Sequence, residues 1–335
     1  MDRVKVLLLL GWIVACSAMS SRFLDNEWDT WKAKYGKNYT TPEQEKIRRG
    51  NWEASRKKVL EHNQLADQGK KTYRLEMNHF ADMSSEERRS RSCLLPTQPK
   101  GPKPPVYRGK PSLNIPEEVD WRKENCVNPV RNQGSYCGSC WAFATVAAIE
   151  SRYCIKYKEL VKLSEQQLVD CDQGGDQGCC GGLPKYALRY ISEHGLMLRK
   201  DYEYKERNNE CRYESGEILK MNMSKYYVLP DEQNMAVAVA LEGPVTVGIA
   251  SHEDFQMFDG KGVYDGQCEE STNHAIVIVG YGTEDGQDYW IIRNSWGEEW
   301  ADGGYAKFLR NENHCFIGEE VSTADILGPK EIPQW

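Results

Sequence analysis

Residues 133–143 read Gln-Gly-Ser-Tyr-Cys-Gly-Ser-Cys-Trp-Ala-Phe. This stretch limits the fold more than any other. A glycine-rich turn leads into Cys140, and Trp141 to Glu150 then reads as a buried helix. Cys140 therefore stands at the mouth of a helix. A helix N-terminus carries about half a positive charge, which favours a thiolate over a thiol. The Gln133 side-chain amide and a backbone amide near it can hold a developing oxyanion. The segment asks for a fold that presents a reactive sulfur.

The chain has 335 residues, enough for two or three domains. Arg3 and Lys5 precede an apolar run from Val6 to Val14 and then small residues, which predicts a secretory signal peptide over 1–20. It is too short for a mature membrane anchor, and no later segment reads as a membrane span. The apolar stretch Ala275–Val279 reads as a buried strand. A secretory route is oxidising, so the twelve cysteines are expected to be mainly disulfides. Cys93 lies in a polar stretch, and ten cysteines follow from Cys126 onward.

Charge is divided unevenly: residues 1–112 hold 22 basic and 13 acidic side chains, residues 113–335 hold 21 and 37. The boundary falls in a proline-rich stretch, which predicts a basic segment that docks on an acidic one. The acidic half argues against nucleic-acid binding. In the basic half, Trp28, Trp31 and Tyr35 recur at helical spacing, and a longer helix is predicted from Pro42 to about Gln68. Asn78-His79-Phe80-Ala81-Asp82 alternates polar and apolar residues as an extended strand does.

Cys140 admits several chemistries. Cys137-Gly138-Ser139-Cys140 is a CxxC pair, but no short βαβ unit surrounds it as a redox fold requires. A zinc site needs a second close pair, and the adjacent Cys179-Cys180 is a poor one; no metal and no cofactor is expected. A nucleophilic cysteine needs a base. Of six histidines, His274 directly precedes the β-rich apolar run and lies 134 residues past Cys140. Asn294, in Asn294-Ser295-Trp296-Gly297, can accept the ring proton of His274, with Trp296 shielding that bond from water.

Together these stretches resemble the papain-family cysteine proteases. The resemblance covers nearly all of the chain from Ile115 on and implies an α+β, papain-like two-lobe fold, a helical lobe plus a β-barrel-like lobe. It implies Cys140, His274, Asn294 and Gln133 as catalytic residues. Tyr136 is one residue more than the family's spacing between the glutamine and the cysteine pair. Arg48, Trp52, Val59 and Asn63, on one helix face, partly match a propeptide motif of cathepsin L-like proteases, and Asn78–Asp82 resembles a second. The implied organisation is a signal peptide (1–20), an inhibitory propeptide (21–112, with a proline-rich linker over 94–112) and a peptidase domain (113–335).

By the same resemblance Cys137 pairs with Cys179, Cys171 with Cys211 and Cys268 with Cys315. Cys179 and Cys180 compete for Cys137, and the pairing of Cys126, Cys154 and Cys180 stays open. Gly181 and Gly182 fall where substrate backbone binds. Leu183, Pro184, Gly248, Thr272, Ala275 and Glu320 fall at the pocket for the second residue before the cut, with Trp296 over the histidine. Cathepsin B-like enzymes carry a glutamate at this pocket floor and accept arginine, so Glu320 predicts acceptance of Arg or Lys beside hydrophobic residues. No segment resembles the histidine-rich occluding loop of those enzymes, which favours endopeptidase action.

Asn38 and Asn222 begin glycosylation sequons. The expected partners are protein and peptide substrates, the chain's own propeptide and cystatin-like inhibitors, on a monomer in the lysosome or outside the cell. The alternatives are an inactive papain-like binding protein and a disulfide oxidoreductase built on Cys137 and Cys140.

Overall fold

A computed structural model describes residues 22–95, 105–107, 114–213, 218–219 and 226–326. The expected signal peptide, most of the proline-rich linker, the start of the peptidase domain at 113 and the sequon at Asn222 lie outside the described residues. Residues 22–58 and Ala81–Met83 belong to one compact unit, and Val59–Phe80 and Ser84 onward to a second.

In the first unit, helix α1 (residues 22–34) is followed by α2 (Pro42–Asp67), which continues into the second. Proline suits the first turn of α2 because it has no N–H to leave unbonded there. The core is aromatic: Trp28 stacks on Trp31 with ring centroids 5.4 Å apart and meets Trp52 edge-on at 5.5 Å. Asp82 is the polar hub. Its carboxylate accepts from Lys37 Nζ (2.9 Å) and Tyr39 Oη (2.8 Å), and its carbonyl from Arg48 and Asn51.

The second unit is built on one mixed sheet. Its strands, in chain order, are β1 (Val119–Asp120), β4 (Tyr226–Val228), β5 (Val245–Ile249), β6 (Val263–Tyr264), β7 (His274–Glu284), β8 (Gln287–Arg293), β9 (Tyr305–Leu309) and β10 (Val321–Ala324); β2 (Leu196–Met197) and β3 (Ile218–Leu219) form a separate ribbon. The sheet order is β4-β10-β5-β7-β8-β9-β6, with β1 on the far end of β7. The first nine residues of β7 are buried, as expected of a strand that is apolar on both faces.

The helices are α3 (Ser85–Ser90), α4 (Cys140–Tyr157), α5 (Glu165–Cys171), α6 (Pro184–His194), α7 (Glu232–Leu241) and α8 (Glu253–Gln256). Helix α4 is apolar nearly all round and buried accordingly. It shares one core with Ala275, Val277 and Val279 of β7 and Ile291 of β8. The start of this buried helix and the start of β7 therefore share one core, through Cys140 and Ala275.

Four disulfides join Cys126 to Cys154, Cys137 to Cys179, Cys171 to Cys211 and Cys268 to Cys315. Cys126–Cys154, whose partners the sequence left open, fastens the last turn of α4 to the loop ahead of the glycine-rich turn.

Asn78–Asp82 is a turn, not the expected strand. Asn78 Oδ1 accepts from the backbone N–H of Phe80 two residues on, the bond that makes asparagine a turn residue. The segment leading to it docks on the C-terminal end of α8 and on Trp296: Glu76 N–H donates to Met257 O (2.8 Å), Asn78 Nδ2 to Gln256 O (2.8 Å), and Phe80 meets Trp296 edge-on at 5.4 Å. Arg88 Nη2 lies 4.0 Å from Glu253 Oε2, and His62 Nδ1 lies 4.0 Å from Asp254 Oδ2. Backbone, amide and aromatic contacts thus hold this segment.

Candidate active site

Cys140 is the first residue of α4 and fully buried. Its thiol lies against the backbone amides of Ala275, Cys93 and Trp141. His274 opens β7 beside it, fixed by pairing with Ile249. His274 Nε2 lies 2.8 Å from Asn294 Oδ1, which also accepts from Ser295 N–H (2.8 Å). A backbone amide only donates, so this second bond fixes which way the Asn294 amide points. In the neutral imidazole the Nε2 proton therefore goes to Asn294, and Nδ1 keeps a lone pair. Nδ1 is buried and meets no protein donor. Trp296 lies nearly parallel on the ring, at 4.5 Å and 23°.

Gln133 is fully buried and pinned from several sides. Its N–H donates to Ser295 O (2.9 Å), and its Oε1 accepts from Ser295 Oγ (2.7 Å). Its Nε2 donates to Cys137 O and Arg91 O, both at 3.1 Å. The donor expected to meet an oxyanion meets the carbonyl of Arg91, a residue of the expected pro-region. The extra residue Tyr136 does not displace Gln133: its side chain is 87% exposed, and the loop bulges outward. Glu206 holds the bulge, accepting from the backbone N–H groups of Ser135 and of Tyr136 (2.7 Å). Tyr204 ties the same loop down by donating to Gln133 O (2.7 Å) and bonding Ser139 Oγ.

Residues 91–95, the tail of the expected pro-region, cross this site. Leu94 N–H donates to Asn273 O (2.9 Å), Gly182 N–H to Cys93 O (3.3 Å) and Leu95 N–H to Gly182 O (3.3 Å), a parallel pairing on the glycine strip. Gly181 has φ of 118°, and a Cβ there would come within 2.3 Å of Cys93 O, so close approach of the tail requires glycine. A Cβ on Gly248 would meet Leu94 Cδ2 at 2.7 Å, Glu320 Cβ at 3.0 Å and Thr272 Cβ at 3.6 Å. Leu94 thus fills the pocket, and Leu183 and Ala275 share its core cluster. Pro184 starts α6 at the edge. Glu320 is not free at the floor: Lys185 Nζ lies 3.1 Å from its carboxylate.

Burial under the tail sets the charge state. It pushes the Cys140 thiol up to about 11 and His274 down to about 4, the latter against the pull of Asn294. The covered site holds a neutral thiol and a neutral imidazole, whereas the helix dipole alone predicts a thiolate. Desolvation of a charge outweighs half a charge at a helix end.

Sequence reading missed Glu206, Tyr204, Ser295 and Lys185. Ser295 sat inside a quoted motif and carried a signal; the others act on partners 65 to 135 residues away and carried none. Asn38 is exposed, as a glycan would require. Cys268, His314 and Cys315 also cluster, but the two sulfurs are bonded to each other. Among the described residues no helix is long and apolar enough to cross a membrane.

The fold and this geometry have close relatives. Residues 115–325 match the papain family cysteine proteases and residues 28–87 the cathepsin propeptide inhibitor domain. The chain belongs to the papain family of cysteine proteases, in its propeptide-bearing, cathepsin-like form. It is 40% identical to cathepsin S of Bos taurus over 310 residues, which is 90% of this chain and 93% of that one. It is likewise 40% identical to cathepsin J of Mus musculus, over 98% of this chain and all of the other. Among solved structures, digestive procathepsin L 3 of Tenebrio molitor superposes with a TM-score of 0.80 at 34% identity, covering 90% of this chain and 99% of that one. The chain is thus a cysteine-type peptidase with its own inhibitory propeptide domain.

Proposed function

We propose that this chain is a cysteine endopeptidase of the secretory pathway, held inactive until the pro-region tail leaves the cleft, with Cys140 as nucleophile. Water then reaches the pair, and Cys140 passes its proton to His274 Nδ1. The thiolate attacks the scissile carbonyl carbon. Negative charge moves to the carbonyl oxygen, between the Gln133 amide and the Cys140 N–H. His274 returns the proton to the leaving amine, and the C–N bond breaks. A water, deprotonated by His274, then cleaves the thioester. Asn294 keeps Nδ1 aimed at the sulfur throughout. The hydrogen bond from His274 to Asn294, on a strand that starts beside Cys140, is the observation that carries this reading.

Leu94 in the pocket supports a preference for a hydrophobic side chain at the second residue before the cut. Arginine or lysine there must first take Glu320 from Lys185, so basic residues rank second. The carbonyl of Arg91 on Gln133 supports inhibition by occupation of the oxyanion donor.

The test is peptide hydrolysis at pH 5 by acid-treated proenzyme, with Cys140→Ala alongside and paired substrates bearing Phe or Arg at that position. Activity lost in the variant is expected; a correctly cut, folded chain without activity would overturn the proposal. Glu320→Ala is expected to lower the Arg rate relative to Phe, and an unchanged ratio sinks the role of Glu320.

A further inference from the structure

Among the described residues three cysteines carry no disulfide: Cys93, Cys140 and Cys180. Cys140 has its role above. The other two have none there, yet the fold brings them to the same wall of the cleft. Cys93 was read from sequence as part of a polar stretch, but it is half-buried, its carbonyl accepts from Gly182 N–H, and the N–H of the next residue, Leu94, donates to Asn273 O. Its side chain lies on Gly138: a Cβ built there would come within 2.5 Å of Cys93 Cβ, 2.7 Å of Cys93 Sγ and 2.9 Å of Cys179 O. The Cys93 sulfur therefore lies over Gly138, on the side of the carbonyl of Cys179, the residue directly before Cys180, and its thiol donates to Ser90 O (2.8 Å). The Cys93 carbonyl lies against Gly181, the residue directly after it.

Cys180 is exposed on the single 3-10 turn Gly178–Cys180. Cys137 is already taken by Cys179, so the competition between the neighbouring cysteines leaves Cys180 without that partner. A second sign of proximity is electrostatic: burial raises the Cys93 thiol, and the charge of Cys180 raises it further.

We propose that Cys93 and Cys180 join in a disulfide that ties the pro-region tail to the wall of the substrate cleft. The oxidant is a small disulfide of the glutathione class. The Cys180 thiolate, accessible at the rim, attacks one sulfur of that disulfide, forms a mixed disulfide and releases one thiol. The Cys93 thiolate then attacks the Cys180 sulfur and releases the second thiol. The protein loses two S–H hydrogens, and the oxidant's S–S bond is reduced to two thiols. A cut in the linker then frees the chain ends but not the tail, and a reductant must open the bond before Leu94 and Arg91 leave the site. This consequence rests on the protease reading, but the bond does not, and it is measured without turnover.

The full-length proenzyme is equilibrated with glutathione disulfide at neutral pH, alkylated with iodoacetamide, digested without reduction and mapped by mass. The Cys93 peptide is expected in one cluster with the Cys137 and Cys179–Cys180 peptides. Because Cys179 and Cys180 are neighbours, Cys180→Ser is run in parallel: Cys93 must leave the cluster while Cys137 stays. Cys93→Ser, a change in the tail alone, must make Cys180 open to alkylation. On a denaturing gel without reductant, Cys140→Ala proenzyme cut in the linker by added active enzyme must keep its tail, and dithiothreitol must release it. Alkylated Cys93 in the native protein, a Cys93–Cys140 bond, or a tail that separates without reductant overturns the proposal.

Discussion

Two pairs of titratable groups lie buried in the second unit, and acid acts on them in opposite directions. Cys140 and His274 are dry because another part of the chain covers them. Asp172 and Asp176 are dry because their own loop folds over them; burial raises both carboxyls, Asp176 well above its ordinary value with Asp172 adding to the push. Their inner oxygens accept from Gly174 and Leu183 N–H groups, while each Oδ2 meets no protein N–H or O–H donor. One proton held between the two carboxyls satisfies both, with Arg189 and His194 pulling weakly the other way.

The linkage follows from the direction of each shift. His274 is lowered, so the uncovered or unfolded chain binds more protons between the ordinary histidine value and about 4, and the covered state loses stability as pH falls through that window. The aspartate pair is raised. Its contribution is fully present below the ordinary carboxyl range and is lost as pH rises through the folded value. Acid thus loosens the cover and favours the loop that carries Leu183, so a zymogen is unlocked under the conditions its cleft tolerates best.

The sharpest way to break this contrast is thiol reactivity. Cys140 alkylation by iodoacetamide at pH 7.5 is expected to be about 100-fold slower or more in the proenzyme than in the mature enzyme, because only a thiolate reacts. Equal rates would mean that the tail does not set the charge state. Gln133→Ala should lower mature turnover by roughly 10²–10³. Near-native turnover would show that the bulge at Tyr136 has taken Gln133 out of the reaction.

A third test follows proenzyme unfolding from pH 7 to pH 4. The melting temperature should fall through the histidine window, and His274→Gln should flatten that fall; the same slope in both proteins would move the acid response elsewhere. The smallest effect belongs to the aspartates. Asp176→Asn cannot ionise, so the mature variant should match the native enzyme near pH 4 and melt about 3 °C higher near pH 8. A variant that melts lower at both ends would mean that the shared proton is not what holds the loop.

Sequence and structure part company at identifiable places. The glycine-rich turn, Cys140, His274 and Asn294 were legible as a group because they open or follow strongly patterned elements. Long patterned elements were legible for the same reason: α2 ends at Asp67 and β7 runs through the apolar block after His274. What the sequence hid depends on contacts made by folding. Glu206 carries no local pattern, yet its carboxylate accommodates Tyr136. Lys185 looks like any surface lysine, yet it occupies Glu320. Asn78–Asp82 alternates like a strand, but a two-residue side-chain bond outweighs periodicity there. Cys93 and Leu94 look like linker because nothing in their neighbourhood announces a cleft that lies about 90 residues further on.

The Cys126–Cys154 bond has a consequence for wear. With Cys137–Cys179 it forms interlocking loops around the glycine-rich turn and nearly all of α4. A single backbone cut between residues 127 and 153 leaves both ends of the break tied to the same body. A protease works among other copies of itself and is nicked by them. In this one the stretch that carries Cys140 can be broken once without coming apart, so damage there accumulates as scars before it becomes failure.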